Sequence, residues 1–467
     1  MPAPTRGPIP GNTSPVAGTL GLPRLGQTGL VNIGLAADIA ADIARQRKTN
    51  TVAPHTAAGS TPVSPSQCTA LYGSPCYGPT QLRTAYGLPT LPGATTDRRR
   101  VDGAGATIAI LISYGHPHIQ GDLDRFSDQF GLPRAPVETL TYGTVPPYDP
   151  TDPNQLIAAA ETDLDVQYAH AMAPAAHLIV MATGSFQSAG TGGMGDLMAA
   201  MTWLAGHRHV DVISMSWGSF EQQFPEQAGK PGDYRLLKPL RAGLAAAARR
   251  RITLVAADGD TGPTGPNLAG TALYATPTVA WPASDPLVTA VGGTELHLDD
   301  TGHRTNADTL WTDTGFGVAT GGGRSAVFDR PSYQDRVRAA AGDTRALADI
   351  TMDGSVNSRV WVYFGAGNPY DPTGTPGWGR AAGTSVSAPL FAGIVADAAG
   401  LAGHPLGTIN PTLYRLHTGS GLADVTQGCN TADGVTGFCA TPGYDVVSGM
   451  GTVGDARRLI PALAHGR

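Results

Sequence analysis

Apolar positions along this chain fall into two regimes. Before about residue 66 they are scattered among Pro, Gly, Thr and Ala, and only 30–46 (LVNIGLAADIAADIARQ) has a spacing that predicts a short helix. Residues 1–66 therefore read as an N-terminal extension or leader. From 67 to 467, short β-branched apolar runs alternate with alanine-rich segments of helical period, which predicts an α/β domain built on a mainly parallel sheet. Strands are expected at 107–113 (TIAILIS), 177–182 (HLIVMA), 210–215 (VDVISM), 252–256 (ITLVA) and 288–291 (VTAV). Each is nearly continuous in apolar residues, as strands buried on both faces are. Helices are expected over 154–172, ended by Pro174, over 193–206 and 234–250, and from Ser385 into the run PLFAGIVADAAG. In such sheets functional groups collect at the carboxyl ends of strands and at the helix starts beside them.

Charge narrows the partners. The net charge is -6, and no run of like charges offers a footprint for nucleic acid or an anionic membrane surface, so neither is expected as a partner. No stretch approaches the ~20 consecutive apolar residues of a membrane-spanning helix. The four cysteines form two local pairs, Cys68 with Cys76 and Cys429 with Cys439, which read as two small disulfides and point to an oxidising, extracellular setting; zinc ligation competes with this, although the spacing is not of the CxxC type. The start MPAPTRGPIPGN has no basic and apolar signal regions, so export would rest on a signal upstream of it.

Two patterns carry chemistry. In Gly383-Thr384-Ser385-Val386-Ser387-Ala388-Pro389 a serine stands among small residues at a predicted helix start, where N–H groups and the helix dipole favour negative charge; Ser385 is expected to be exposed, either as a nucleophile or as a plain N-cap. On helix 154–172, Glu161 and Asp165 are spaced i, i+4 and share a face, while Asp163 is expected to point to solvent. Two carboxyls so close share a proton, and such a pair works as general base and acid at acid pH, where a histidine would already be protonated.

The segment GTSxSAP resembles the nucleophile motif of the subtilisins and of the sedolisins, the serine-carboxyl peptidases. A subtilisin would need an aspartate after the first strand and a framed histidine; the run TIAILISYGHP has neither, and His116 and His118 read as surface or packing residues. The ExxxD pattern followed by Gln167 is similar to the sedolisin arrangement. That resemblance implies a subtilisin-like, doubly wound fold and an acid-active serine peptidase, with Ser385 as nucleophile, Glu161 as general base and Asp165 as its partner. It further implies Asp260, in Gly259-Asp260-Thr261-Gly262, as a protonated donor in the oxyanion hole, with Asp258 the residue most easily confused with it. Ser216, Trp217 and Gly218 would bind extended substrate by strand addition, Trp217 lining the cleft. A calcium ion would be held by the side chains of Asp424 and Asp445 and the carbonyls of Val425, Thr441 and Gly443, with Thr441 standing where the family usually has glycine. The alternatives are a histidine-dependent peptidase and a silent relative that only binds. A polypeptide substrate and a monomer are expected, and endopeptidase or tripeptidyl action stays open. Sedolisins carry a prodomain much longer than 1–66, and residues 348–351 (ADIT) lack the family's usual proline.

Overall fold

The computed structural model describes residues 61–89, 101–313, 317–369, 374–416 and 419–466; the helix expected at 30–46 lies outside them. Its central sheet contains β1 (Thr107–Ser113), β2 (Val137–Tyr142), β3 (His177–Thr183), β4 (Val212–Met215), β5 (Thr253–Ala257), β6 (Thr289–Glu295), β7 (Ile350–Asp353), β8 (Leu422–Ala423) and β9 (Thr452–Val453). The spatial order is β8-β9-β7-β6-β5-β4-β1-β3-β2, with the two-residue strand Thr309–Leu310 beside β6. Neighbours along this path are parallel except β8 and β9.

Each predicted strand is present within a few residues. The last runs on to Glu295 because pairing with β7 continues through Gly292 and Gly293, which carry no apolar signal. Strands β2, β7, β8, β9 and Thr309–Leu310 were not expected from the apolar pattern: VETLTY of β2 lies at the sheet edge and is only half-buried, and the others are two to four residues long, too short for a periodic signal.

The helices of ten residues or more among the described residues are α1 (Ile119–Phe130), α2 (Pro153–Met172), α3 (Met194–His207), α4 (Leu237–Arg249), α5 (Thr384–Ala402) and α6 (Ala456–His465). Alternation along β1 serves both faces of the sheet. Ile108 and Ile110 join a core containing Leu164, Val166, Phe391 and Ile394 of α2 and α5, while Ala109 and Leu111 join Met201 and Leu244 of α3 and α4 on the other face. Helix α5 is apolar enough for a membrane span, yet 83% of that stretch is buried within the fold, as a central core helix requires. It packs directly on α2 at Gly393, where a Cβ would stand 2.5 Å from Met172 Cβ and 3.1 Å from the Ala169 carbonyl, so the close approach depends on glycine. Cys68 pairs with Cys76 and Cys429 with Cys439, leaving no free cysteine and setting aside the zinc alternative.

Candidate active site

Helix α5 starts from Gly383, whose φ of 114° is one that glycine favours, and Ser385 is its second residue. The loop after β5 is latched to this start. Asp260 Oδ1 accepts hydrogen bonds from the Thr384 N–H at 2.9 Å and the Thr384 hydroxyl at 2.7 Å, and Thr384 Oγ1 in turn accepts from the Gly259 N–H at 3.2 Å. The carboxyl of Asp260 thus adjoins the nucleophile candidate. Asp258 is turned to Thr320, whose hydroxyl donates to its Oδ1 at 3.3 Å, and burial, then the charge of Asp260, hold its pKa well above the ordinary carboxylate range.

Ser385 has no exposed surface, which corrects the expectation of an exposed serine: the start of α5 lies at the sheet's carboxyl end beneath the loop that carries Asp260. Its Oγ has no hydrogen-bond partner among the described residues. Glu161 and Asp165 are also fully buried. Asp165 is tied to Ser216 just after β4, and Thr384, beside Ser385, to Asp260 just after β5, so the carboxylate pair and the serine lie at the carboxyl ends of two neighbouring strands, the same end of the sheet. Burial raises the pKa of Asp165 above the usual carboxylate range, opposed by a 2.6 Å hydrogen bond from the Ser216 hydroxyl to its Oδ1.

Two further expectations need correction. Asp163 is fully buried, accepting from His116 Nε2 at 3.0 Å, because α2 is covered on every side and has no solvated face. His116 itself is buried, which agrees with the packing side of its surface-or-packing reading. Trp217 does not line an open cleft: it is 2% exposed, sits in the core with Met215 and Phe224, and donates its indole N–H to the Leu111 carbonyl at 2.7 Å. Gly218 has its carbonyl taken by Gln187 Nε2 at 2.6 Å. Ser216, Thr384 and Gln187 escaped sequence reasoning in these contacts, because a hydroxyl or amide bonded across the fold leaves no periodic trace.

Near the C-terminus, Asp445 accepts four hydrogen bonds: from the N–H groups of Thr441, Val447 and Ser448 and from the Ser448 hydroxyl, at 2.8–3.0 Å. The exposed Asp424 accepts one, from the Gly443 N–H at 2.8 Å. The two carboxylates therefore grip one turn. Both side chains offer the oxygen donors that a hard cation takes, but Asp445 is already saturated by its four hydrogen bonds, one of which would have to give way to an ion.

Residues 155–404, over half of the chain, match the Subtilase family. The chain belongs to this family. The chain is 31% identical over 387 residues to kumamolisin of Bacillus sp. (strain MN-32), covering 80% of this chain and 62% of that relative. It is 29% identical to sedolisin of Pseudomonas sp. (strain 101), covering 82% and 60%. Tripeptidyl-peptidase 1 of Homo sapiens is 36% identical over a shorter stretch, 44% of this chain and 36% of the relative. The chain thus spans about three fifths of the first two relatives' length. Among solved structures, Pseudomonas sedolisin, a serine-carboxyl proteinase complexed with two molecules of pseudo-iodotyrostatin, superposes with a TM-score of 0.67 at 26% identity, covering 84% of this chain and all of that one. The subtilase fold with its mainly parallel sheet is the one anticipated from the sequence.

Proposed function

We propose that this subtilase is an acid-active serine-carboxyl peptidase with Ser385 as nucleophile. The observation that carries the reading is the pair of fully buried carboxyls, Glu161 and Asp165, on the helix packed against that of Ser385 and at the same end of it. In this reading the hydroxyl of Ser385 passes its proton to Glu161 while Oγ attacks the peptide carbonyl. Asp165 shares proton and charge with Glu161, and Ser216 holds Asp165 in place. Glu161 then returns the proton to the departing amine, and water, deprotonated by Glu161, cleaves the acyl-enzyme. The oxyanion would receive a hydrogen bond from a protonated Asp260 and from the N–H of Ser385; an ionised Asp260 would repel it.

A histidine-dependent mechanism fits less well, since His116 has Nε2 directed at Asp163 and Nδ1 accepting from the His118 N–H at 3.0 Å. Polypeptides are the proposed substrates. Subsite contacts at Ser216–Gly218 would use backbone groups, with the Gln187 amide displaced from Gly218. We assign Asp424, Val425, Thr441, Gly443 and Asp445 to a calcium ion that braces the C-terminal loop and takes no part in the chemistry. The two disulfides support an oxidising, extracellular location.

The test is cleavage of a mixed peptide library from acid to neutral pH by the wild type, Ser385→Ala and Glu161→Gln. Acid-confined activity lost in both variants supports the reading, whereas neutral activity that survives Glu161→Gln sinks it.

A further inference from the structure

Beside the catalytic candidates, α1 and α2 enclose a cluster that the proposed reaction does not use. His116 Nε2 lies 3.0 Å from Asp163 Oδ2 and 3.4 Å from Asp122 Oδ2, and all three residues are buried. The His118 N–H donates to His116 Nδ1 at 3.0 Å, so in the neutral ring the proton sits on Nε2 and faces the two carboxyls. The three ligand atoms are close enough to surround a metal ion, but this tautomer offers no Nε2 lone pair to one. The alternative is proton sharing. Two buried carboxyls beside a neutral ring cannot both ionise at low cost.

The surroundings supply little relief. Gln167 Nε2 reaches Asp163 Oδ1 at 3.4 Å, and the Gly365 N–H serves both carboxyls. Tyr148, whose pKa burial and then the charge of Asp163 raise, also faces the cluster. On α1, Arg125 is turned away over the Tyr363 ring, 5.1 Å from its centroid. Asp163 stands between Glu161 and Asp165 in sequence, on the same turn of α2. Displacing that turn displaces the base pair with it.

We propose that His116, Asp122 and Asp163 form a proton-sharing cluster that seats this turn of α2 only while the carboxyls hold protons, and so sets the alkaline limit of activity. The positioning role rests on the reading of Glu161 and Asp165 given above. Burial first, then the charge of Asp163, raises Asp122 from 3.8 to about 8, and burial raises Asp163 in the same direction. A raised carboxyl contributes stability that is present at low pH and lost as pH climbs through the folded-state value. His116 acts oppositely: burial lowers it from 6.5 to about 4, so its contribution fades as pH falls over that range. The carboxyls therefore act unopposed between pH 6.5 and about 8.

The experiment measures Tm against pH for the Ser385→Ala chain, saturated with calcium, with and without Asp122→Asn or, separately, Asp163→Asn. The expected result is a steep fall in Tm over that window for the parent and a flatter one for either variant. With Ser385 intact, Asp122→Asn should move the alkaline limb of kcat/KM upward while leaving the acid-pH kcat within about twofold. Parallel Tm curves and an unmoved limb would overturn the proposal. So would a Tm rise on adding zinc or manganese to the parent that Asp122→Asn abolishes, which would make the cluster a metal site. An active Glu161→Gln chain would overturn the positioning role while leaving the Tm behaviour in place, so the two readings fail separately.

Discussion

Ser216 donates its hydroxyl to Asp165 Oδ1 at 2.6 Å, joining the end of β4 to the carboxylate pair on α2. The bond favours the ionised form of Asp165 against the desolvation that favours the protonated one. Ser216→Ala should therefore raise the pKa of Asp165 further, so that it stays protonated to higher pH. Removing a hydrogen bond to a charged group should cost about tenfold in kcat/KM. A kcat/KM profile against pH, compared with Ser216→Thr, checks this; an unchanged profile would remove Ser216 from the proton-sharing set.

Asp260 lends itself to a sharper substitution. If it acts as a protonated donor, Asp260→Ala should lower kcat by roughly 10²–10³. Asp260→Asn can still accept from Thr384 and can donate through its amide whatever the pH, so it should retain more activity and extend it upward in pH. Single-turnover rates of the two variants, beside Asp258→Asn as a control turned toward Thr320, separate the oxyanion role from a purely structural one.

The contact at Gly393 predicts a packing effect. Gly393→Ala would press a methyl against Met172 Cβ at 2.5 Å, and overpacking of this kind costs about 1–3 kcal/mol. Tm should fall. Activity should fall with it, because the same contact sets how Ser385 and Glu161 face each other; full activity at reduced Tm would show that their alignment does not depend on this crossing.

At the C-terminal turn the two aspartates should behave differently. Chelation of calcium should lower Tm, and Asp424→Ala should abolish that response while costing little in chelator. Asp445→Ala should destabilise even without calcium, because it strands three N–H groups and a hydroxyl; a buried donor left unpaired costs about 1–3 kcal/mol. Thermal melts of both variants with and without chelator decide the matter, and equal calcium responses in wild type and Asp424→Ala would remove Asp424 from the site.

The apolar pattern along the chain was enough to read the parallel sheet, five of its ten described strands and the helices α2 to α5. Buried parallel strands must be apolar on both faces and the helices over them must repeat at 3.6, so TIAILIS and PLFAGIVADAAG announce their places from local composition alone. The spacing of Glu161 and Asp165 was likewise legible, since i, i+4 on a helix is a local relation. The environment each side chain meets follows from how the layers close around it. Asp163 lies on the same helix as the pair and has the same chemistry, yet it faces His116 and Asp122, because α1 packs where solvent was expected. Trp217 fills the core beneath the strand end, Thr384 latches Asp260, and Ser216 reaches Asp165. Burial and hydrogen bonding between residues 51 to 124 positions apart depend on how the layers close, and no periodicity along the chain encodes that.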